Sequence, residues 1–596
     1  MPQLGPKHAP IQAALAQGNF EQARVAAVRA MARGSDPGLD LLASVAFGRL
    51  GLRDQSLFYA KRAADAAPND VDCIGNLGIA LGLSGDSAAA IGPLTRAVEL
   101  APTQVQWRAS LSAQQFIIGD YAAGVATCRA GLEVLPGSPE LTFNLAAALS
   151  DLGHHDESAA LLRDACLAHP DDTNLRTAAC LASHYAESMP ASHVRGVHDA
   201  YNAALERQLP PDRHIFRNSR DPERKLRIGL VSGDLRRHSV AFFVEPLLEY
   251  ADAARVEYIA FSTALREDDF SQRLKARCAA WHAVQPLTFE QLTAKIRQQQ
   301  IDVLIDLSGH TANHSLVTFH QRGAPVQVTM IGYPGTTGVT QMDARIVDRH
   351  TDPPEADALH CERLVRVDGC FLCYRPPEDA PEPVSRSADD PNAPVVFGSF
   401  NVLRKLGDRT LAAWAQILNG VPRARLMLKA QGLSQPFARD AMMERLKSHG
   451  IAPDRVDLLA STATIHDHLE LYSRMDIALD PLVYNGTTTT CEAIWMGVPV
   501  ITARGPVHAS RVGTSLLTAI GATELIADGE DAYVARAIAL AADRTQRAAY
   551  RAGLREQVRR SSLCDGPAYA RRIEAALRSL WGEWCERQAC ERPTRS

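Results

Sequence analysis

A 34-residue step in the first third of the 596-residue chain limits its fold more than any other feature. Pro68, Pro102, Pro136 and Pro170 fall on that step, as do Gly51, Gly85, Gly119 and Gly153. Leu77, Leu111 and Leu145 keep it too, and so do the small residues Ala63, Ala97, Gly131 and Ala165. Columns sharing one register specify a repeated helix pair, because a generic Ala-rich bundle needs no fixed step. The glycine ends the first helix, where a residue free to take positive φ is required. The small residue lets two antiparallel helices approach, and the proline stops the second helix and turns the chain. A less regular unit runs through Gly18 and Ala23, and a degenerate pair over residues 174–208 is expected to cap the stack.

The period and its columns resemble the tetratricopeptide repeat. Such arrays form concave binding surfaces, so a protein or peptide partner is expected for this third of the chain.

From Leu226 the pattern changes to short apolar runs alternating with helical stretches. Leu226–Val231, Val256–Phe261, Ile301–Leu307, Val326–Ile331 and Ala344–Val347 are predicted as buried parallel strands. A Pro/Asp/Ser-rich stretch, Pro376–Pro394, reads as an interlobe linker. The alternation restarts at Val395–Phe400, Arg425–Leu428, Arg455–Leu458, Asp476–Leu479, Pro499–Thr502 and Glu524–Ile526. The expected organisation is a helical array over 1–208, a first Rossmann-like lobe over 209–375, the linker over 376–394, and a second Rossmann-like lobe with terminal helices over 395–596. Two doubly wound lobes in succession imply a cleft, with ligands at the carboxyl ends of the strands. Amphipathic segments between Asp531 and Trp584 are expected to cross back onto the first lobe.

Composition removes several classes of function. The net charge is −5 with 22% charged residues, so no global basic field favours nucleic acid as a partner. No apolar run approaches the roughly 18 residues that span a bilayer, and the first residues carry no apolar signal core. A membrane is therefore not an expected partner, and the cytoplasm is the expected compartment. Of the twelve cysteines only Cys370 and Cys373 have metal-site spacing, and no second such pair accompanies them, so no metal is expected. Neither a Walker phosphate loop nor a G-x-G-x-x-G after the opening strand is present.

The stretch from Asp480 to Val500 carries the most chemistry. It reads as strand, loop at Asn485-Gly486, helix start in the run Thr487-Thr488-Thr489-Thr490, then Gly497 and a new strand. Free backbone N–H groups and hydroxyls at that helix start make an anion cup, with Thr488 and Thr489 as its outer ring. Glu492 lies one turn on from Thr488, on the same face, where it can accept from a sugar diol.

The Thr-Thr-x-x-Glu-Ala-x-x-x-Gly-Val-Pro-Val run resembles the nucleotide-sugar site of GT-B glycosyltransferases. Val231–His238, Asp306–Thr311, Ala324–Gly338, Phe400–Lys405 and Asp480–Gly486 resemble the motifs of protein O-GlcNAc transferases. That family joins a tetratricopeptide-repeat solenoid to two Rossmann-like α/β domains. The resemblance implies inverting, metal-independent transfer of GlcNAc from UDP-GlcNAc to Ser or Thr hydroxyls of proteins, with no cofactor besides the donor. It implies that Lys405 meets the departing β-phosphate and that His238 handles a proton or orients the sugar phosphate. His310 and Thr311 would touch the sugar, Gly332 and Pro334 would let backbone approach it, and His468 would face the uracil. Gly486, Thr487, Thr488, Thr489 and Glu492 complete the implied donor site. Val402, Arg404, Thr487, Glu492 and Leu471 stand where the family's animal members carry Gln, Tyr, His, Asp and Arg. The large domain that animal enzymes insert between the lobes is replaced by the short linker. One alternative is another donor, as in plant SPINDLY-type protein O-fucosyltransferases that use GDP-fucose. A second is a repeat scaffold that binds nucleotide and does little chemistry. Lys405, His238 and the threonine run together argue against the scaffold.

Overall fold

The computed structural model describes residues 5–212, 214–285, 287–384 and 393–590. The chain divides into two compact units. One comprises Met1–Leu149, Ala160–His169 and Gln435–Asp440, the other Ser150–Ala159, Pro170–Ser434 and Ala441–Ser596.

In the first unit the 34-residue step is realised as helix pairs: Ala9–Ala16 with Phe20–Met31, Pro37–Arg49 with Arg53–Ala66, Val71–Ser84 with Ser87–Leu100, and Val105–Ile117 with Tyr121–Val134. The glycine column takes left-handed backbone, with φ of +73° at Gly51, +95° at Gly85 and +84° at Gly119. That conformation strains any side chain with a Cβ, which is why one residue type recurs there. Ala63 and Ala97 are fully buried, and a Cβ added at Gly131 would lie 2.4 Å from Leu141 Cδ1. The helices ending at Ala66, Leu100 and Val134 each stop two residues before a column proline.

The degenerate helix pair is Thr173–Ser183 and Ala191–Gln208, and it belongs to the second unit. Cys180, Tyr201 and Leu205 from it are buried in one cluster with Val231, Phe261, Leu304 and Met342 of the first lobe. The sequence leads one to expect a cap on the repeat stack; the structure shows this pair supplying part of the core of the second unit.

The first lobe is a seven-stranded parallel sheet: β1 (Leu226–Ser232), β2 (Val256–Ser262), β3 (Ala280–Ala283), β4 (Val303–Asp306), β5 (Val326–Thr329), β6 (Ala344–Asp348) and β7 (Arg363–Val367), ordered β3-β2-β1-β4-β5-β6-β7. The second is a six-stranded parallel sheet: β8 (Val396–Ser399), β9 (Arg425–Lys429), β10 (Val456–Leu459), β11 (Ile477–Leu479), β12 (Val500–Ala503) and β13 (Ile526–Ala527), ordered β10-β9-β8-β11-β12-β13. Strand order reverses between β1 and β4 in one lobe and between β8 and β11 in the other. These are the topological switch points where ligands bind in such sheets. Strands β3 and β7 are absent from the sequence expectation because they are sheet edges that are only partly buried, without a continuous apolar run. The runs Ile301–Leu307 and Val326–Ile331 give shorter strands, because their carboxyl ends turn into loops.

The long helix Gly566–Cys590 crosses back to the first lobe, as expected from the sequence. Tyr569, Ile573, Leu577 and Trp581 are buried there in one cluster with Leu226, Val303 and Val328. Of the linker expected over 376–394, residues 385–392 lie outside the described residues.

Candidate active site

In the second lobe, β8 ends at Ser399 and the chain passes through Phe400 and Asn401 into a short 3-10 turn, Leu403–Lys405. The turn aims the Lys405 ammonium at the loop after β11: Nζ donates to the Asn485 carbonyl at 2.6 Å and lies 4.3 Å from the centre of the Tyr484 ring. That loop is pinned by Asp480, a buried carboxylate that accepts from the Gly486 N–H at 2.6 Å and the Thr502 hydroxyl at 2.8 Å. Burial pushes the Lys405 pKa down, and the negative charge of Asp480 opposes that shift. Burial likewise pushes Asp480 up, against its two hydrogen bonds and the attraction of Lys405. Gly486 has to be glycine, because a Cβ there would lie 2.7 Å from both the Thr489 and Thr490 hydroxyl oxygens.

The helix Thr488–Trp495 starts without a side-chain cap, since Thr487 at the N-cap position bonds no first-turn N–H through its side chain. The Thr488 hydroxyl is buried and has no hydrogen-bond partner. A buried unsatisfied hydroxyl costs about 1–3 kcal/mol, so this helix start is poised for a ligand. Thr489 donates to Asn401 Oδ1 at 3.0 Å, tying the helix to the segment between β8 and the turn that carries Lys405.

His468 and Glu492 are bonded to each other. His468 Nε2 donates to Glu492 Oε2 at 2.9 Å, and Lys429 Nζ donates to His468 Nδ1 at 2.7 Å. Tyr472 donates to the Thr489 carbonyl at 3.2 Å and to Glu492 Oε2 at 3.4 Å. The rings of Phe400 and His468 are 5.6 Å apart. Sequence reasoning missed Lys429. Its signal is a lone cation at the carboxyl end of the apolar strand β9. It also missed Tyr185, whose ring stacks on Tyr484 at 4.8 Å and 11°. Arg404, one of the departures from the animal pattern, pairs with Asp151.

In the first lobe, β1 leads to His238, which caps the helix Ser239–Glu249: Nδ1 accepts from the Val240 N–H at 3.3 Å and lies 3.7 Å from Asp234 Oδ2. Burial lowers its pKa, with Asp234 opposing. Strand β4 ends at Asp306, whose carboxylate accepts from the N–H groups of Ser308 and Gly309 and shapes the turn to His310. His310 is 1% exposed. Its Nε2 donates to the Thr337 carbonyl at 2.8 Å, which leaves Nδ1 as a buried acceptor with no partner. Its ring packs against Tyr201 at 4.6 Å and against His198 and Tyr333, each at 5.2 Å. Thr311 donates to the Ser308 carbonyl at 2.8 Å.

The segment after β5 crosses this group at close quarters. A Cβ on Gly332 would lie 1.7 Å from the Leu307 carbonyl oxygen, and Pro334 is buried. Ile331 has φ +64°, a left-handed backbone that is an outlier for a β-branched residue and marks stored strain. Burial holds His184 and His310 far below their ordinary pKa, and brings His198 and His314 down to about 4. The lobes meet through His508 Nδ1 and Asp352 Oδ2, 2.5 Å apart, and through Ser515, which donates to Asp348 at 2.5 Å.

In the second lobe Lys405 thus bonds the loop that leads to Gly486, Thr488 and Thr489 open the helix that follows, and Glu492 on that helix bonds His468. The structure gathers His310, Gly332 and Pro334 in a first-lobe group, and His238 stands at the N-cap of the helix after β1. Among the described residues, Cys180, His198 and His310 have potential metal-ligand atoms within 4.8 Å of one another. His198 already uses both ring nitrogens, on the Val194 carbonyl and the Tyr333 hydroxyl, so the trio falls short of the three protein ligands of a catalytic zinc site.

Glycosyl transferase family 41 matches residues 204–374 and 384–573 of the chain. A probable UDP-N-acetylglucosamine–peptide N-acetylglucosaminyltransferase SPINDLY of Solanum lycopersicum is 40% identical over 425 residues, 70% of this chain and 45% of that protein. The corresponding SEC protein of Arabidopsis thaliana is 26% identical over 61% of this chain and 38% of its own length. The chain therefore spans less than half the length of these relatives. A lysine-to-methionine mutant of the O-GlcNAc transferase of Thermobaculum terrenum has a solved structure that matches with a TM-score of 0.79 at 33% identity, over 87% of this chain and 98% of that one. With the family match taking in both parallel-sheet lobes and most of the chain, the protein belongs to glycosyl transferase family 41.

Proposed function

We propose that the protein transfers GlcNAc from UDP-GlcNAc to Ser or Thr hydroxyls of protein or peptide acceptors, with inversion and without a metal or other cofactor. The observation that carries this reading is the uncapped start of the helix Thr488–Trp495, with its orphan Thr488 hydroxyl, three residues after Asn485, whose carbonyl takes the Lys405 ammonium. A helix N-terminus and a preorganised cation can together supply what a divalent ion supplies elsewhere, namely positive potential where a diphosphate leaves. In the step, the acceptor oxygen forms a bond to the anomeric carbon and the bond from that carbon to the β-phosphate oxygen breaks. UDP departs with the electron pair, and the acceptor proton passes to a base.

His238 serves this step as an orienting donor. Because its Nδ1 accepts from the Val240 N–H, the neutral ring carries its proton on Nε2, which can donate to the sugar or a phosphate. The sugar is received by His310, Thr311 and the backbone around Gly332 and Pro334. The base is received by His468, and the ribose by Glu492. The cytoplasm is the compartment of this proposal, and the acceptor is presented by the repeat array.

A second reading keeps the chemistry and changes the donor to GDP-fucose, the donor implied by resemblance to SPINDLY-type enzymes. It is favoured by the higher identity to the tomato SPINDLY protein, 40%, than to the Arabidopsis SEC protein, 26%. One experiment separates the two: thermal shifts with UDP, GDP and their sugars in EDTA, followed by transfer of the labelled sugar to a protein acceptor. Stabilisation by UDP-GlcNAc and labelling from it support the first reading. A response confined to GDP and GDP-fucose moves the assignment to the second, and a requirement for manganese overturns both.

A further inference from the structure

Lys429 is 8% exposed, and its ammonium sits between the Phe400 ring, centred 5.7 Å away, and His468 Nδ1 at 2.7 Å. An ammonium only donates, so Nδ1 accepts and the imidazole proton sits on Nε2, which donates to Glu492 Oε2. The tautomer of His468 is therefore fixed from both ends, between a cation and an anion. Burial works against the charge on Lys429, and Glu492 sustains it. The hydrogen bonds from His468 and Tyr472 both fall on Oε2 of Glu492, so Oε1 carries neither of them. Glu492 follows Thr488 by one helical turn, about 6 Å along the axis, on the same face as the anion cup.

A bare carboxylate beside a diphosphate site would repel the ligand. A carboxylate linked through an imidazole to a buried ammonium is compensated, and it keeps one oxygen for a hydroxyl. We infer that Lys429 is a positioning residue that acts through His468 to hold Glu492 against the ribose hydroxyls, making the site select ribonucleoside over deoxyribonucleoside diphosphates. The inference rests on the donor reading above. It is independent of the base, since both candidate donors carry ribose.

The test compares dissociation constants for UDP and 2′-deoxy-UDP, and for GDP and 2′-deoxy-GDP, in the wild-type chain and its variants. A hydrogen bond to a charged group sets the scale, so the wild type is expected to favour the ribonucleotide by about tenfold or more. Lys429→Met and Glu492→Ala are each expected to reduce that ratio to below about threefold, and the double variant to reduce it no further, as for residues acting in one network. In turnover, Lys429→Met is expected to raise the donor KM more than it lowers kcat, because the ribose contact is made equally in ground and transition states. Lys429→Gln, which removes the charge and keeps a donor, gives the same readout if the methionine variant folds poorly. A Lys429→Met protein that keeps the wild-type ratio overturns the inference, even with a lower melting temperature. A wild type without ribose preference overturns it as well, while sugar transfer by that same protein leaves the donor reading standing. Failure of every nucleoside diphosphate to bind the wild type removes both.

Discussion

At the switch point of the first lobe, the strand ends carry imidazoles that burial keeps neutral. His310 packs among His198, Tyr201 and Tyr333, and His184 lies behind Gly335. At the equivalent point of the second lobe, the strand ends carry ionisable pairs, Lys405 with Asp480 and Lys429 with Glu492 through His468. The sheets share the strand order of their first six strands, the first sheet adding the edge strand β7, and the linking segments differ. Topology therefore sets where a ligand sits, and the first residues after each strand set what kind of group it meets. In the proposed reaction a neutral sugar and hydroxyl face the imidazoles, and a diphosphate faces the charges.

The largest effect that could break this contrast is acid. His184, His198, His310 and His314 have folded-state pKa values below the ordinary histidine value near 6.5, because burial disfavours the imidazolium. Below pH 6.5 the unfolded chain takes up protons that the folded one refuses. Each such group then removes up to about 1.4 kcal/mol of stability per pH unit until its folded pKa is reached. The transferase unit should lose stability steeply between pH 6.5 and 4, with hydrogen exchange placing the loss first on β1, β4 and β5. A urea midpoint that stays flat over that window would mean that these rings are already protonated or solvated.

Next in size is Lys405→Met, which keeps the aliphatic stem and removes the charge. Loss of one preorganised electrostatic partner costs about 10²–10³ in kcat, or roughly 2.7–4 kcal/mol. Nucleoside diphosphate affinity should fall much less, since the charge on the leaving group grows in the transition state. Turnover above about a tenth of wild type would hand the leaving-group role to the helix terminus.

Smaller still is Thr488→Val. The hydroxyl has no partner in the free protein, so its removal should leave the melting temperature unchanged or slightly raised. Nucleotide affinity should fall by about tenfold, the worth of one hydrogen bond to a charged group. A variant that unfolds instead would identify Thr488 as a structural cap. The smallest expected effect is none: EDTA should leave nucleotide binding intact.

Much of this arrangement can be read from the chain. The repeat is legible because a helix end that needs positive φ admits few residue types, and Gly51, Gly85 and Gly119 occupy it in register. The central parallel strands are legible because strands buried on both faces are continuous apolar runs. The edge strands β3 and β7 escape because half-exposed strands lack that signature. Lys429 escapes for a different reason. Its partner His468 lies 39 residues away, on the helix that follows β10, and the parallel pairing of β10 with β9, which sets Leu459 opposite Lys429, brings them together. Tyr185 is invisible for the same cause, since its stacking partner Tyr484 is 299 residues further along the chain, in the second lobe.

The sharing of core between the last helix pair and the first lobe bears on how such chains can be shortened or recombined. Cys180, Tyr201 and Leu205 are core residues of the transferase unit, Tyr185 braces the loop under Lys405, and Asp151 holds Arg404. The boundary between the two compact units therefore runs through the helix pair Pro139–Asp151 and His155–Ala168, with Ser150–Ala159 in the second unit and Ala160–His169 in the first. Upstream of it, units can be gained, lost or exchanged as interchangeable modules. Downstream of it, a helix pair that looks like the end of the array is inherited with the enzyme.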